Sequence, residues 1–219
     1  MSGGSPLEQG RWSFGEAHVP TVADWRLSTL PKSLAPEQVA RLLKSCDQRT
    51  VTGQRDYTIL LLLARLGLRA GEVVAMTLED LDWEAGELTV RDKGGRQDRL
   101  PLPHDVGAAL ATYLRQGRPR CLTRRVFVRM AAPRRGFASS VAICGIMQRA
   151  LARARLHPPR KGAHLLRHSL ATQMLQRGAS LPEIGEVLRH ELAQTTEIYA
   201  KVDFTALRAL AQPWPRGAA

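Results

Sequence analysis

From residue 32 onward the apolar positions fall into periods that can be read element by element. In "LPKSLAPEQVARLLKSC", Val39, Leu42, Leu43 and Cys46 share one helical stripe and Pro36 sits in the first turn, which predicts an amphipathic helix. The leucine run "ILLLLA" at 59–64 predicts a second helix, with Asp56 as its cap and Gly67 as its stop. A short helix follows near 72–76. "GELTV" at 86–90 and "RLPLP" at 99–103 have strand composition, and "KGGRQD" between them supplies turn residues, so a β-hairpin is expected. Asp105 then caps a helix carrying Val106, Ala109, Leu110 and Tyr113 and ending at Gly117. A basic connection with one short strand at 126–128 leads to a helix over about 140–155 and a Pro-rich turn at 157–159. Helices from His164 to Gly178, from Ser180 through Leu188, and over 193–202 and 204–211 complete the pattern. The fold class is therefore mainly α with a small antiparallel β-sheet (α+β). One domain is expected over 32–211, after an irregular Gly-, Pro- and Ser-rich arm at 1–31 and before a tail at 212–219.

Composition narrows the setting. The longest apolar run is interrupted by Arg65, far short of a membrane span. The first residues lack the basic start and apolar stretch of a signal peptide. Three cysteines, Cys46, Cys121 and Cys144, are odd in number and never in CxxC spacing, so a reducing compartment without a disulfide frame is expected. The expected location is cytoplasmic. The net charge of +12 changes the picture more. Residues 1–105 carry 13 Lys/Arg against 15 Asp/Glu, whereas residues 106–182 carry 15 basic side chains and no acidic one. A single-sign field of this kind attracts polyanions, and 27 of the 32 basic residues are arginine, the better holder of phosphate.

Six side chains offer chemistry. "HLLRH" at 164–168 sets His164 and Arg167 at i and i+3 on one helix face near an N-terminal end, which favours an anion. A zinc-binding reading needs a glutamate after the first histidine, but Leu165 stands there, and no Asp or Glu lies within fifteen residues on either side. No metal is expected. "GLRAGE" places Arg69 in a tight break between helices, where it can also simply touch Glu72. "RDKGGRQDR" places Lys93, one of five lysines, at the hairpin turn. "LRHELAQTTEIYA" adds His190 and Tyr199. Of the three tyrosines, Tyr57 and Tyr113 fall in apolar stripes and are assigned to the core, whereas Tyr199 lies on a polar, Thr-rich helix. Two arginines, a lysine, two histidines and a tyrosine suit metal-free attack on a DNA phosphodiester. Arginines offset charge developing on phosphorus, a tyrosine attacks covalently, and a lysine or histidine protonates the leaving oxygen.

The ordered set Arg69, Lys93, His164-x-x-Arg167, His190, Tyr199 resembles the catalytic domain of the tyrosine recombinase (phage integrase) family. The motifs carrying the resemblance are "LLARLGLRAGEV", "KGGRQDRLPLP", "HLLRHSLATQML" and "LRHELAQTTEIYAKV". The resemblance implies site-specific recombination through a 3′-phosphotyrosyl link made by Tyr199. Arg69 and Arg167 would hold the phosphate, with Lys93 as general acid to the 5′ oxygen. His164 would bond the phosphate and accept the tyrosine proton, and His190 would add another phosphate hydrogen bond. Neither cofactor nor metal is implied. The implied partners are double-stranded DNA and further copies of the chain, four protomers holding two duplexes. Phe204, Leu207 and Leu210 form an apolar edge suited to docking on a neighbour or folding back in cis.

Three departures accompany the resemblance. The helical core-binding domain that usually precedes the catalytic one is expected to be absent. Arg189 stands before His190, where glycine is common. Asp92 replaces the first glycine of the frequent G-K-G turn and can pair with Lys93. Rival readings are a DNA-binding remnant without strand exchange and a type IB topoisomerase-like relaxing enzyme.

Overall fold

The computed structural model describes residues 33–91 and 95–189. The described residues form seven α-helices and a three-stranded antiparallel sheet. At its centre is α2 (Val51–Arg65), in which Ile59 to Leu63 are almost completely buried. A helix apolar on every side belongs inside a core. Around it pack α1 (Pro36–Lys44), α3 (Ala70–Ala75), α4 (His104–Thr112), α5 (Val141–Arg153) and α6 (His164–Gln176). The buried stripe of α1 is centred on Leu42, with Val39 and Leu43 packed at its edge. Residues 33 and 34 enter beside α6, where the Leu34 N–H donates to Ser169 Oγ at 2.8 Å.

Two helix starts differ from the expectation. Asp56 does not cap α2. The cap lies six residues earlier at Thr50, whose Oγ1 accepts the Gly53 N–H at 3.0 Å. The residues opening it, Val51, Thr52 and Gly53, are poor helix formers, and this hides the start in the sequence. Asp56 is instead buried inside the helix. Its Oδ1 accepts from Arg55 Nη2 at 2.8 Å, and Arg55 Nη1 donates to the Val128 carbonyl. Likewise Asp105 lies within the first turn of α4 after Pro103, and its carboxylate pairs with Arg65 at 2.8 Å. The helix ending at Gly117 does so through a π-helical turn, Tyr113–Gly117.

The hairpin forms as expected from β2 (Glu87–Arg91) and β3 (Gln97–Pro101), with Val90 opposite Asp98 and Arg91 opposite Gln97. A two-residue strand, β1 (Leu81–Asp82), adds to β2, with Leu81 opposite Leu88. The expected strand at 126–128 is not one. Val126 donates to the Met76 carbonyl, and single bridges join Thr77 to Arg125 and Val128 to Gly136. Both tyrosines assigned to the core are there. Tyr113 is fully buried, stacked on Phe127 with ring centroids 5.4 Å apart, and Tyr57 is packed against the core.

α7 (Leu181–Leu188) starts at a capping box made by Ser180 and Glu183 and packs on α6 through a small cluster of Ala171, Ile184 and Leu188. The break between α2 and α3 meets this pair. Gly67 has φ +57°, and a Cβ there would stand 2.6 Å from Leu188 Cδ2 and 3.1 Å from Leu170 Cδ2. Gly67→Ala therefore adds backbone strain to a clash with the end of α7. It should lower unfolding stability by about 2–3 kcal/mol. Urea titration should show this as a lower midpoint at unchanged slope.

Candidate active site

The last turn of an α-helix leaves carbonyls without partners, and the helix dipole makes that end negative, so cations gather there. At the C-terminal end of α7 the cations are two of the sequence-selected arginines. Arg167, from the first turns of α6, donates through Nη2 to the Leu188 carbonyl and through Nη1 to the Gly67 carbonyl. Arg69, at the N-cap of α3, donates through Nη2 to the Arg189 carbonyl at 3.2 Å. Two guanidinium groups from distant parts of the chain thus end on consecutive carbonyls, immediately before His190. Arg167 is buried, whereas the Arg69 side chain is 32% exposed.

A carboxylate ties this pair further. Glu72, one turn into α3 and only 5% exposed, accepts the Arg69 N–H at 2.7 Å on Oε2 and Arg69 Nη1 at 3.0 Å on Oε1. Its Oε2 also accepts from Arg189 Nη2 at 2.8 Å. Arg189 reaches the sheet as well, its Nε standing 4.0 Å from Asp98 Oδ2 on β3. Asp98 pairs with Val90, one position in from the Arg91–Gln97 pair nearest the turn, so the end of α7 stands close to the base of the hairpin.

The contact between Arg69 and Glu72 that the sequence allowed is present, and it coexists with the convergence on Arg167. The sequence did not reveal the link from Glu72 to Arg189. The signals were a glutamate three residues after Arg69 and an arginine in a position that favours glycine. Arg189 has φ +53°, ψ +51° and closes α7 in the left-handed conformation. Non-glycine residues rarely adopt it, at a cost of about 1–2 kcal/mol.

His164 is the first residue of α6 and is exposed at a helix N-terminus that carries no side-chain cap. Lys93, His190 and Tyr199, with the helices expected over 193–202 and 204–211 and the 1–31 arm, lie outside the described residues. Among the described residues no group of three or more His, Cys, Asp or Glu is placed to hold a metal, and no helix is long and apolar enough to cross a membrane.

His168, one turn beyond His164, has its pKa held below the usual imidazole range. Burial is the main cause, reinforced by the positive neighbours His164, Arg167 and Arg160. The unfolded chain therefore binds the proton more readily than the folded one. Stability is full above the ordinary value of about 6.5 and falls as pH drops below it through the depressed folded pKa. Thermal unfolding followed from neutral to mildly acidic pH should show that loss, and His168→Gln should flatten it.

The chain has parallels in sequence and in fold. The chain matches the model of the phage integrase family over residues 32–206. It is 54% identical over 199 residues to the y4rA protein of Sinorhizobium fredii, named for the integrase/recombinase class, covering 91% of this chain and 48% of that one. It is 32% identical to the tyrosine recombinase XerC of Oceanobacillus iheyensis, over 89% of this chain and 63% of that one. The chain spans about half the length of the first curated relatives it matches. A crystal structure of XerA recombinase superposes with a TM-score of 0.69 at 26% identity, covering 83% of this chain and 64% of that one. XerH site-specific recombinase in a post-cleavage complex superposes with a TM-score of 0.72 at 22% identity, covering 86% and 55%, which establishes the shared fold.

Proposed function

Because the chain belongs to the phage integrase family of tyrosine recombinases, we propose that it carries out site-specific DNA recombination as a catalytic domain spanning 32–211. The observation that carries this reading is the meeting of Arg69 and Arg167 on the Arg189 and Leu188 carbonyls. That meeting sets two permanent positive charges beside the residue next in sequence, His190. In this reading both guanidinium groups bind the non-bridging oxygens of the scissile phosphate and offset the charge that builds on phosphorus. His164 and His190 add hydrogen bonds to the same phosphate.

The reaction proposed for these residues is the one that the family resemblance implies. Tyr199 Oη attacks phosphorus as its proton passes to His164. The P–O5′ bond breaks, and Lys93 gives a proton to the leaving 5′ oxygen. A phosphodiester is exchanged for a phosphotyrosyl ester of similar energy, so religation to another 5′-hydroxyl needs no ATP, metal or other cofactor. The proposed partner is double-stranded DNA, in the cytoplasm, with four protomers holding two duplexes. The uninterrupted positive charge of 106–182 supports it.

The test is covalent capture. Protein incubated with a pool of random-sequence duplexes, each nicked so that the short 5′ fragment diffuses away, should retain DNA through denaturing washes. The nucleotide-bearing peptide should be the one containing Tyr199. Absence of captured DNA despite tight binding would replace this reading with a non-cleaving DNA-binding role. Sequence-independent relaxation of supercoiled plasmid would replace it with a topoisomerase-like one.

A further inference from the structure

Arg189 lies outside the six residues assigned above, yet it touches both Arg69 and the carboxylate that holds Arg69. Its carbonyl accepts from Arg69 Nη2 at 3.2 Å, and its side chain donates to Glu72 Oε2 at 2.8 Å, while Glu72 Oε1 holds Arg69 Nη1 at 3.0 Å. Arg69, Glu72 and Arg189 therefore form a closed ring. We propose that Arg189 is the positioning residue for Arg69, fixing its guanidinium plane through Glu72 and keeping the ring as a whole positive toward the incoming phosphate. The proposal rests on the recombinase reading for its consequence and on geometry alone for its cause.

Charge explains why a third member is needed. A buried carboxylate facing one arginine forms a neutral pair, and an arginine so neutralised attracts an anion weakly. A second guanidinium on the same carboxylate restores a net positive charge to the ring. Asp98 does not cancel it, because that carboxylate is 3.1 Å from Arg96 Nε and only 4.0 Å from Arg189 Nε.

The arrangement is also poorly explained by stability. Arg189 holds a left-handed backbone that glycine would adopt without strain, and its Nη1 is buried with no hydrogen-bond partner among the described residues. Strain and an unsatisfied donor kept together in one side chain are a mark of a functional constraint. A residue retained merely to end α7 would be glycine.

The test uses the full chain with Arg189→Gly and Arg189→Lys, and DNA recovered by the covalent capture described above. Arg189→Gly should slow single-turnover cleavage by about 100-fold, while affinity for the same DNA stays within about threefold because it rests on many phosphate contacts. Arg189→Lys should recover part of the rate. Nitrogen-15 spectra of the arginine side chains give a readout independent of activity, with Arg69 assigned by its loss in Arg69→Lys. The two Arg69 Nη signals should be resolved in the native chain, where the Glu72 carboxylate on Nη1 and the Arg189 carbonyl on Nη2 together stop rotation of the group. They should merge in Arg189→Gly, where the Arg189 side chain no longer holds Glu72. If no DNA is captured by the native chain, the recombinase reading fails while these spectra still decide the ring. Unchanged Arg69 signals in Arg189→Gly would overturn the proposal. So would a cleavage rate within about twofold of native, or an equal loss of rate and affinity.

Discussion

Arg167→Lys should reduce strand cleavage by about two to three orders of magnitude, the usual cost of removing one donor aimed at developing charge. DNA affinity should stay nearly unchanged. Charge is conserved in this substitution, so what is removed is the planar fork. Arg167 spans two carbonyls from different elements, Gly67 before α3 and Leu188 at the end of α7. A lysine ammonium is a point charge on a flexible stem and cannot reach both while also presenting donors in fixed directions. Because Arg167 is buried, the substitution also leaves a carbonyl short of a partner, at about 1–3 kcal/mol of stability. Single-turnover cleavage measured well below the melting temperature, beside equilibrium binding to the same duplex, separates the two effects. Equal loss of rate and affinity would contradict a role confined to the transition state.

The same residue shows what could be read in the sequence and what could not. Periodicity placed Arg167 on a helix three residues after His164, and α6 begins at His164. It placed the β-hairpin around Lys93, and the core positions of Tyr57 and Tyr113, for the same reason: each depends on neighbours a few residues away. Boundaries set by competing local signals were harder. Asp56 looks like a cap because aspartate favours caps, yet it is buried against the adjacent Arg55, and a threonine six residues earlier caps α2. A two-residue strand such as β1 is too short to have a period.

The ring of Arg69, Glu72 and Arg189 is of another kind. Glu72 and Arg189 lie 117 residues apart, so no spacing rule joins them. Their meeting depends on Gly67 letting the α2–α3 break approach α7, and on the apolar cluster that seats α7 against α6. The ordered set of motifs singled out Arg69 and Arg167, which the fold brings together, because the family resemblance carries long-range information that periodicity lacks. It gave no reason for an arginine where glycine is usual. The buried pairing of Arg189 with Glu72 supplies one.

Charge segregation along the chain fits the same division of labour. The acidic residues near the site are used internally: Glu72 by Arg69 and Arg189, Asp98 by Arg96, and Asp80 by Arg91 at 2.7 Å. The stretch from 106 to 182 has no acid of its own, and some of its arginines are turned to the fold, such as Arg118, which donates to the Thr123, Arg125 and Val126 carbonyls. The rest provide a long-range field for a polyanion, whose binding should weaken steeply with salt as counterions are released.

Tyr199→Phe should abolish the covalent DNA adduct altogether while leaving DNA affinity at the native level, since in the proposed reaction the hydroxyl is the bond-forming atom and adds little to binding. The prediction is sharp because the other two tyrosines cannot substitute. Tyr113 is fully buried against Phe127, its Oη accepts the Val128 N–H at 3.4 Å, and burial pushes its pKa up to about 12, which opposes the deprotonation a nucleophile requires. Tyr57 sits partway along α2, packed against the core. Tyr113→Phe should accordingly cut DNA at the native rate and lose only the stability of one hydrogen bond, about 0.5–1.5 kcal/mol. Denaturing gels of the capture reaction, run for the native chain and both variants, check the pair of outcomes. An adduct persisting in Tyr199→Phe, or vanishing in a folded Tyr113→Phe, would move the nucleophile away from position 199.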